Sequence, residues 1–268
     1  MKSLRIPPDQ IENVRTFLES QPGTERRSVS NALWSYTNGR TFFTLYPSGI
    51  LLLQGEDVSY WVGRILEQIP VPEGSVAGCD EAGKGEIFGP LVLCCVLVRP
   101  ESYREFLSAA PRDTKRMKRE EVLRKAEELK PLVRARFVNI SPRRFNTLLD
   151  TYGNVNRLMD EAYTKLVRRM KEEFSPRRIA IDAYSPRNPF EGEESVLFES
   201  KGEDRYPEIS AAAILAKERY LRSLRKLEET FGIKIPGGSG REAKELARRL
   251  VEIRKDIAPD LLKMNFVR

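Results

Sequence analysis

The spacing of apolar residues changes period several times along the chain. Ile11, Val14 and Leu18 recur at helical spacing after Pro7-Pro8, which predicts a helix over residues 8–19. The period then shortens. Residues 28–37, 40–46 and 49–54 predict three strands, with turns at Thr37-Asn38-Gly39 and Pro47-Ser48-Gly49. A helix over about 56–67 follows, with Val58, Trp61, Val62 and Ile65 as its apolar stripe. Helix, small antiparallel sheet and helix make a small α+β unit. Residues 69–75, IPVPEGS, interrupt both periods with two prolines and a glycine and predict a linker. The expected division is therefore 1–68, a linker at 69–75, and a second domain at 76–268.

Beyond residue 75 the pattern predicts strands at 76–81 and 90–98, a helix at 118–130, and a strand at 133–140. The last of these alternates apolar and charged residues, which fits a sheet edge or a face that meets water. Helices are expected at 142–150 and 155–173, the second with Val155, Leu158, Ala162, Leu166, Val167 and Met170 inward. Short strands at 178–183 and 195–200 precede helices at 207–230 and 240–255. Within 207–230, Ala211-Ala212-Ala213 lets the helix approach its neighbours closely. This order of elements describes a mixed α/β sheet.

Composition narrows the chemistry. Histidine is absent, which excludes a Ser-His-Asp or Cys-His pair and any His-ligated metal. Cys79, Cys94 and Cys95 lie in apolar runs without a metal-ligand spacing; they give no support to a zinc site or a disulfide framework and read as small core residues. No apolar run reaches the ~18–20 residues that span a bilayer, and no signal-peptide centre is present, so a cytoplasmic protein without membrane contact is expected. The net charge is +7, and because acidic and basic residues balance over 1–68, the excess falls entirely after residue 68. Such a charge favours a polyanionic partner.

The stretch VAGCDEAGKGEIFGPLVLCCVLV at 76–98 carries the densest constraints. Asp80 and Glu81 are neighbours, and neighbours in a regular strand point to opposite faces, so both serve one site only if the strand ends there and the Ala82-Gly83-Lys84-Gly85 turn redirects the chain. Asp182 ends a similar apolar run, Ile179-Ala180-Ile181. Adjacent strands that each end in a carboxylate can bring the acids together, and clustered carboxylates repel unless a hard cation is bound, Mg2+ or Mn2+ here. Any one of these acids alone reads as a solvated loop-edge group. Gly-x-Gly alone is common in turns, and this one is neither a Walker loop nor a dinucleotide fingerprint.

Asp80-Glu81-Ala82-Gly83-Lys84-Gly85 followed by Phe88-Gly89-Pro90-Leu91-Val92 resembles the first motif of the type 2 ribonucleases H. Three further stretches agree in order: Asp113-Thr114-Lys115, Ile181-Asp182, and Lys201-Gly202-Glu203 with Pro207, Ile209 and Ala211-Ala212-Ala213. Glu203 as fourth acid, Asn154-Val155-Asn156, Ile235-Pro236-Gly237-Gly238, and Tyr46-Pro47-Ser48-Gly49 through Gln54-Gly55 resemble the ribonuclease HIII branch in particular. Asp204, beside Glu203, leaves the fourth acid open between the two.

The resemblance implies a ribonuclease H-like mixed sheet flanked by helices, preceded by a small α+β TBP-like domain that binds substrate. It further implies hydrolysis of the RNA strand of an RNA/DNA hybrid to 5′-phosphate and 3′-hydroxyl ends, by two metal ions ~4 Å apart. Asp80, Glu81, Asp182 and Glu203 are the implied catalytic and metal-ligating residues, with Asp80 bridging. Gly83, Lys84, Gly85, Lys115, Asn154 and Asn156 are the implied substrate contacts, the glycine turn reading the ribose 2′-hydroxyl. A monomer is expected. Two rivals are a ribonuclease HII-like enzyme cutting at single embedded ribonucleotides and a non-catalytic hybrid-binding protein. Basic segments at 112–124, 165–178 and 241–255 are candidate phosphate contacts, although most of their residues read as solvated helix faces. In the uncharged N-terminal unit, Tyr36, Phe42 and Tyr46 are candidate hybrid contacts, with Phe42 read as the one most apt to be core.

Overall fold

The computed structural model describes residues 1–109 and 117–267. Its first sheet is antiparallel in the order β1-β5-β4-β3-β2, from β1 (Lys2–Arg5), β2 (Glu25–Arg27), β3 (Trp34–Thr37), β4 (Thr41–Leu45) and β5 (Ile50–Gly55). Alternation along these strands turns Leu4, Leu51, Leu53, Phe43, Leu45, Trp34 and Tyr36 into the core. There they meet Val14 and Leu18 of α1 (Ile11–Glu19) and Val58, Val62 and Ile65 of α2 (Val58–Glu67). β1 and β2 were not expected: one is four residues long, the other is three exposed charged residues, and neither carries a periodic signal.

The second sheet has the order β10-β9-β6-β7-β8. It consists of β6 (Val76–Ala82), β7 (Leu91–Val98), β8 (Arg134–Ile140), β9 (Arg178–Asp182) and β10 (Val196–Glu199). β6, β7 and β8 run antiparallel, whereas β9 and β10 join β6 in parallel. β7 is buried on both faces, which is why it reads as an unbroken apolar run, and β8 lies at the edge, in keeping with its alternation. On one face pack α5 (Pro142–Tyr152) and α6 (Val155–Phe174). On the other lie α3 (Tyr103–Ala109), α4 (Arg119–Leu129), the long α7 (Pro207–Phe231), α8 (Arg241–Ile253) and α9 (Ala258–Leu261). Ala211, Ala212 and Ala213 are all buried where α7 crosses β6 and β7.

α3, also unexpected, packs against β1 and α2, so the two sheets share one continuous apolar cluster, and Arg104 Nε donates to the Leu66 carbonyl at 3.1 Å. No described helix is long and apolar enough to cross a membrane.

The cysteines depart from expectation. Cys79 and Cys95 are register partners on β6 and β7 and form a disulfide; Cys94 points to the other face and is free. Sequence spacing hid the pair because it depends on strand register. Closing a loop with a sequence separation of 16 restricts the unfolded chain by about 3 kcal/mol. Reduction, or Cys79→Ala with Cys95→Ala, should therefore lower the melting temperature by roughly 6–10 °C. A melting curve unaffected by reductant would contradict that role.

Candidate active site

β6 does not end at Glu81, contrary to the expectation that one shared site requires it; its pairing with β7 continues to Ala82↔Val92. The partner that stops is β9, whose pairing with β6 ends at Cys79↔Ile181. Asp80 and Glu81 thus leave opposite faces of a strand whose one neighbour has run out, and Asp182, at the end of β9, lies in the gap. Gly78, two residues before Asp80, lets α7 approach: a Cβ there would lie 2.3 Å from Glu208 C and 2.4 Å from Ile209 N. That contact sets the single turn of 3-10 helix ahead of α7, Gly202–Asp204, which carries Glu203.

Each acid has a holder. Tyr163 of α6 donates to Glu81 Oε2 at 2.7 Å. The Gly202 amide donates to Asp182 Oδ1 at 2.8 Å, and Ser210 Oγ donates to the Glu203 carbonyl at 3.1 Å. Asp80 Oδ1 accepts the Glu81 amide at 2.7 Å. Burial, then Glu81, Asp182 and Glu203, push the Asp80 carboxyl well above its ordinary value. Burial also raises Glu81, against the Tyr163 hydrogen bond and the Lys84 charge, while Asp182 adds to the rise. The four acids therefore share one field. Among the described residues, however, no three His, Cys, Asp or Glu side chains already close into a cation cage. An all-carboxylate donor set of mutually repelling groups fits a hard divalent cation that draws them together.

Asp204 points elsewhere. It is 59% exposed and pairs at 3.6 Å with Arg5, whose side chain is only 3% exposed at the end of β1.

The glycine turn is built as its sequence requires. Gly83 has φ +87°, and a Cβ there would sit 2.2 Å from the Pro90 carbonyl oxygen; nothing crowds Gly85. Lys84 is half-buried beside the turn. Its Nζ donates to the Tyr184 carbonyl at 2.5 Å and lies 5.4 Å from the centre of that ring. Tyr184 stacks on Tyr163 with centroids 4.9 Å apart and donates to Asp160 at 2.7 Å. These tyrosines carry no motif signal, and only the fold brings them to Glu81.

Among the other expected contacts, Asn154 caps α6 by accepting the Arg157 amide at 3.0 Å, and Asn156 is exposed in the first turn. Asp113, Thr114 and Lys115 lie outside the described residues. Along 165–178 the basic residues are engaged in ion pairs such as Lys165–Glu161 at 2.9 Å and Arg169–Glu173 at 2.6 Å, and in 241–255 Arg241 pairs with Glu245 at 2.7 Å. Tyr36 is buried and donates to Glu19, so it cannot stack on a base. Phe42 reverses its expected place: it is half-exposed, with the Arg27 guanidinium 4.6 Å from its ring centre, and Tyr46 is also half-exposed.

The family model for Ribonuclease HII matches residues 77–268. Ribonuclease HIII of Aquifex aeolicus is 38% identical over 269 residues, 99% of each chain. The chain belongs to the type 2 ribonuclease H family. Within it, the full-length match assigns the chain to the ribonuclease HIII branch, and it is a ribonuclease H enzyme. Ribonuclease HIII of Enterococcus faecalis is 24% identical over 260 residues, 87% of this chain and 85% of that one. The crystal structure of Aquifex aeolicus RNase H3 superposes with a TM-score of 0.65 at 36% identity, covering 98% of this chain and 99% of that one. That of Bst-RNase HIII in complex with Mn2+ gives 0.66 at 21% identity, covering 98% and 96%, and shows likeness of fold. The likeness to the Aquifex aeolicus structure takes in the mixed sheet, its flanking helices and the α+β unit ahead of it.

Proposed function

We propose that this ribonuclease H is an endonuclease that cuts the RNA strand of RNA/DNA hybrids with two divalent cations, Mg2+ or Mn2+, leaving 5′-phosphate and 3′-hydroxyl ends. What carries the proposal is the common field of four carboxylates from the end of β6, the end of β9 and the turn before α7, with Asp80 feeling the other three. Asp80, Glu81, Asp182 and Glu203 would hold the ions. Bound there, divalent cations supply an activated water at neutral pH and a counter-charge for the leaving oxygen. A fold neighbour solved with Mn2+ supports the choice of ion.

The chain's own residues do the rest. Tyr163 and Lys84 fix Glu81 and the turn, Gly202 fixes Asp182, and the unsubstituted Gly83-Lys84-Gly85 backbone can approach the ribose, whose 2′-hydroxyl distinguishes RNA from DNA. Lys84, Lys115, Asn154 and Asn156 remain proposed substrate contacts, Asn154 from the start of α6. We assign substrate binding to residues 1–68, with 69–75 as linker and 76–268 as the catalytic domain. Phe42 and Arg27 on the open sheet face are the natural platform for a sugar or base. One chain carrying all four acids and the turn can work as a monomer, and we place that work in the cytoplasm.

The fourth acid is the test of local detail. Arg5 feels both acids, but it is Glu203 that also contributes to the field at Asp80, while Asp204 pairs with Arg5 at 3.6 Å. Glu203→Gln should lower kcat by about 10²-fold or more, and Asp204→Asn by less than about 5-fold. The reverse order would reassign the site.

Incubation with Mg2+ and end-labelled duplexes tests the whole proposal. A duplex with a long RNA stretch should be cut at many positions, and one with a single embedded ribonucleotide poorly. Equal cutting of both would favour the ribonuclease HII-like activity, and hybrid binding without cutting would leave only a binding protein.

A further inference from the structure

Lys263 is fully buried, and it makes no ion pair among the described residues. Instead it takes three successive carbonyls of one segment. Its Nζ donates to Glu86 O at 2.8 Å and Phe88 O at 3.4 Å, and its own amide donates to Ile87 O at 2.9 Å. The segment so held begins directly after the Gly83-Lys84-Gly85 turn. More contacts complete the clamp. The Gly89 amide donates to Leu261 O at 3.0 Å, Phe88 bridges to Leu262, and Tyr220 Oη donates to Phe88 O at 3.0 Å. Asn146 ties down the far side, donating to Leu262 O and accepting the Met264 amide, both at 2.9 Å.

Stability does not explain the residue. A buried ammonium costs desolvation, which pushes Lys263 down to about 7 against the opposing charge of Glu86. An apolar side chain of equal length would escape that cost, although it would leave the Glu86 carbonyl without the ammonium as its donor. What an ammonium alone supplies is several donors at one point, able to hold carbonyls that an irregular segment cannot pair within itself.

We propose that Lys263 is a positioning residue for hybrid recognition, fixing residues 86–89 so that the Gly83–Gly85 turn meets the ribose in one geometry. This rests on the turn's reading of the ribose. The lysine touches neither substrate nor acid; it acts through the backbone it holds, so that ordering the turn is not left to the moment of binding. Its 177-residue distance from Glu86 in sequence makes the end of the chain part of the recognition device.

The test measures affinity for an RNA/DNA hybrid and for a DNA duplex of the same sequence, with Asp80→Asn in every protein to prevent turnover. Lys263→Met should lower the ratio of the two affinities about 5- to 10-fold, the worth of one or two hydrogen bonds. Val122→Ala, a core truncation in α4, controls for lost stability and should leave the ratio unchanged. An equal fall in both variants, or no fall in Lys263→Met, overturns the proposal. Gly85→Ala, whose Cβ meets nothing within 4 Å, probes the underlying reading and should lower the ratio itself. If Gly85→Ala has no effect, the turn does not read the ribose and the proposal for Lys263 falls with it. If Gly85→Ala lowers the ratio and Lys263→Met does not, only Lys263 is misassigned. Should Lys263→Met fail to fold, Tyr220→Phe, which removes the other donor to Phe88 O, should lower the ratio about 2- to 3-fold, and an unchanged ratio overturns the proposal.

Discussion

Asp80→Asn is expected to reduce kcat on an RNA/DNA hybrid by on the order of 10³-fold or more, while the protein without divalent cation becomes more stable. The first effect follows from losing the carboxylate common to the proposed ions, whose counter-charge is worth several kcal/mol in the transition state. The second follows from the field around Asp80. It is the acid that feels Glu81, Asp182 and Glu203 together, and burial adds to their repulsion. A carboxyl raised in the folded state binds more protons there than in the unfolded chain. Stability is therefore lost as pH climbs from the ordinary carboxylate value near 4 up through the raised value of the folded state, and an amide at position 80 avoids that loss. Melting curves at pH 7 with chelator, paired with single-turnover rates, check both effects. A variant that melts lower than the parent, or one that keeps more than about a tenth of its kcat, would contradict the role given to Asp80.

Gly78→Ala should damage both the fold and the placement of the acids. The added carbon would meet backbone, not a movable side chain, at 2.3 Å from Glu208 C and 2.4 Å from Ile209 N. Either β6 or the start of α7 must shift, and both carry site acids: Asp80 two residues along one, Glu203 in the turn before the other. Overpacking against rigid atoms costs about 3 kcal/mol, and an ångström of misplacement at the acids about 10²-fold in kcat. Gly63→Ala, on the exposed side of α2 with nothing within 4 Å, is the control and should be neutral or slightly stabilising. Equal behaviour of the two variants would show that α7 does not set the acids.

Much of this site was legible in the sequence because it depends on local order. Asp80-Glu81 and Asp182 each close an apolar run, and parallel pairing of β6 with β9 needs only those runs to be neighbours. The Gly83 turn was legible for the same reason, since its positive φ demands glycine. Long-range partners were not. Tyr163 reaches Glu81 across 82 residues and Lys263 reaches Glu86 across 177, and neither carries a pattern of its own. Glu208 is fully buried and paired with Arg178, yet in sequence it looks like any acid in the first turn of a helix. Register was also invisible: it makes Cys79 and Cys95 partners and leaves Cys94 free, and it turns Tyr36 inward while Phe42 stays half-exposed.

Anomalous diffraction from crystals of the Asp80→Asn-free, unmodified chain soaked in Mn2+ with a non-cleavable hybrid tests the central claim most directly. Two peaks held among Asp80, Glu81, Asp182 and Glu203 are expected, with Asp204 still on Arg5. Peaks that Asp80 does not touch, or no peaks among these four acids, would contradict that claim.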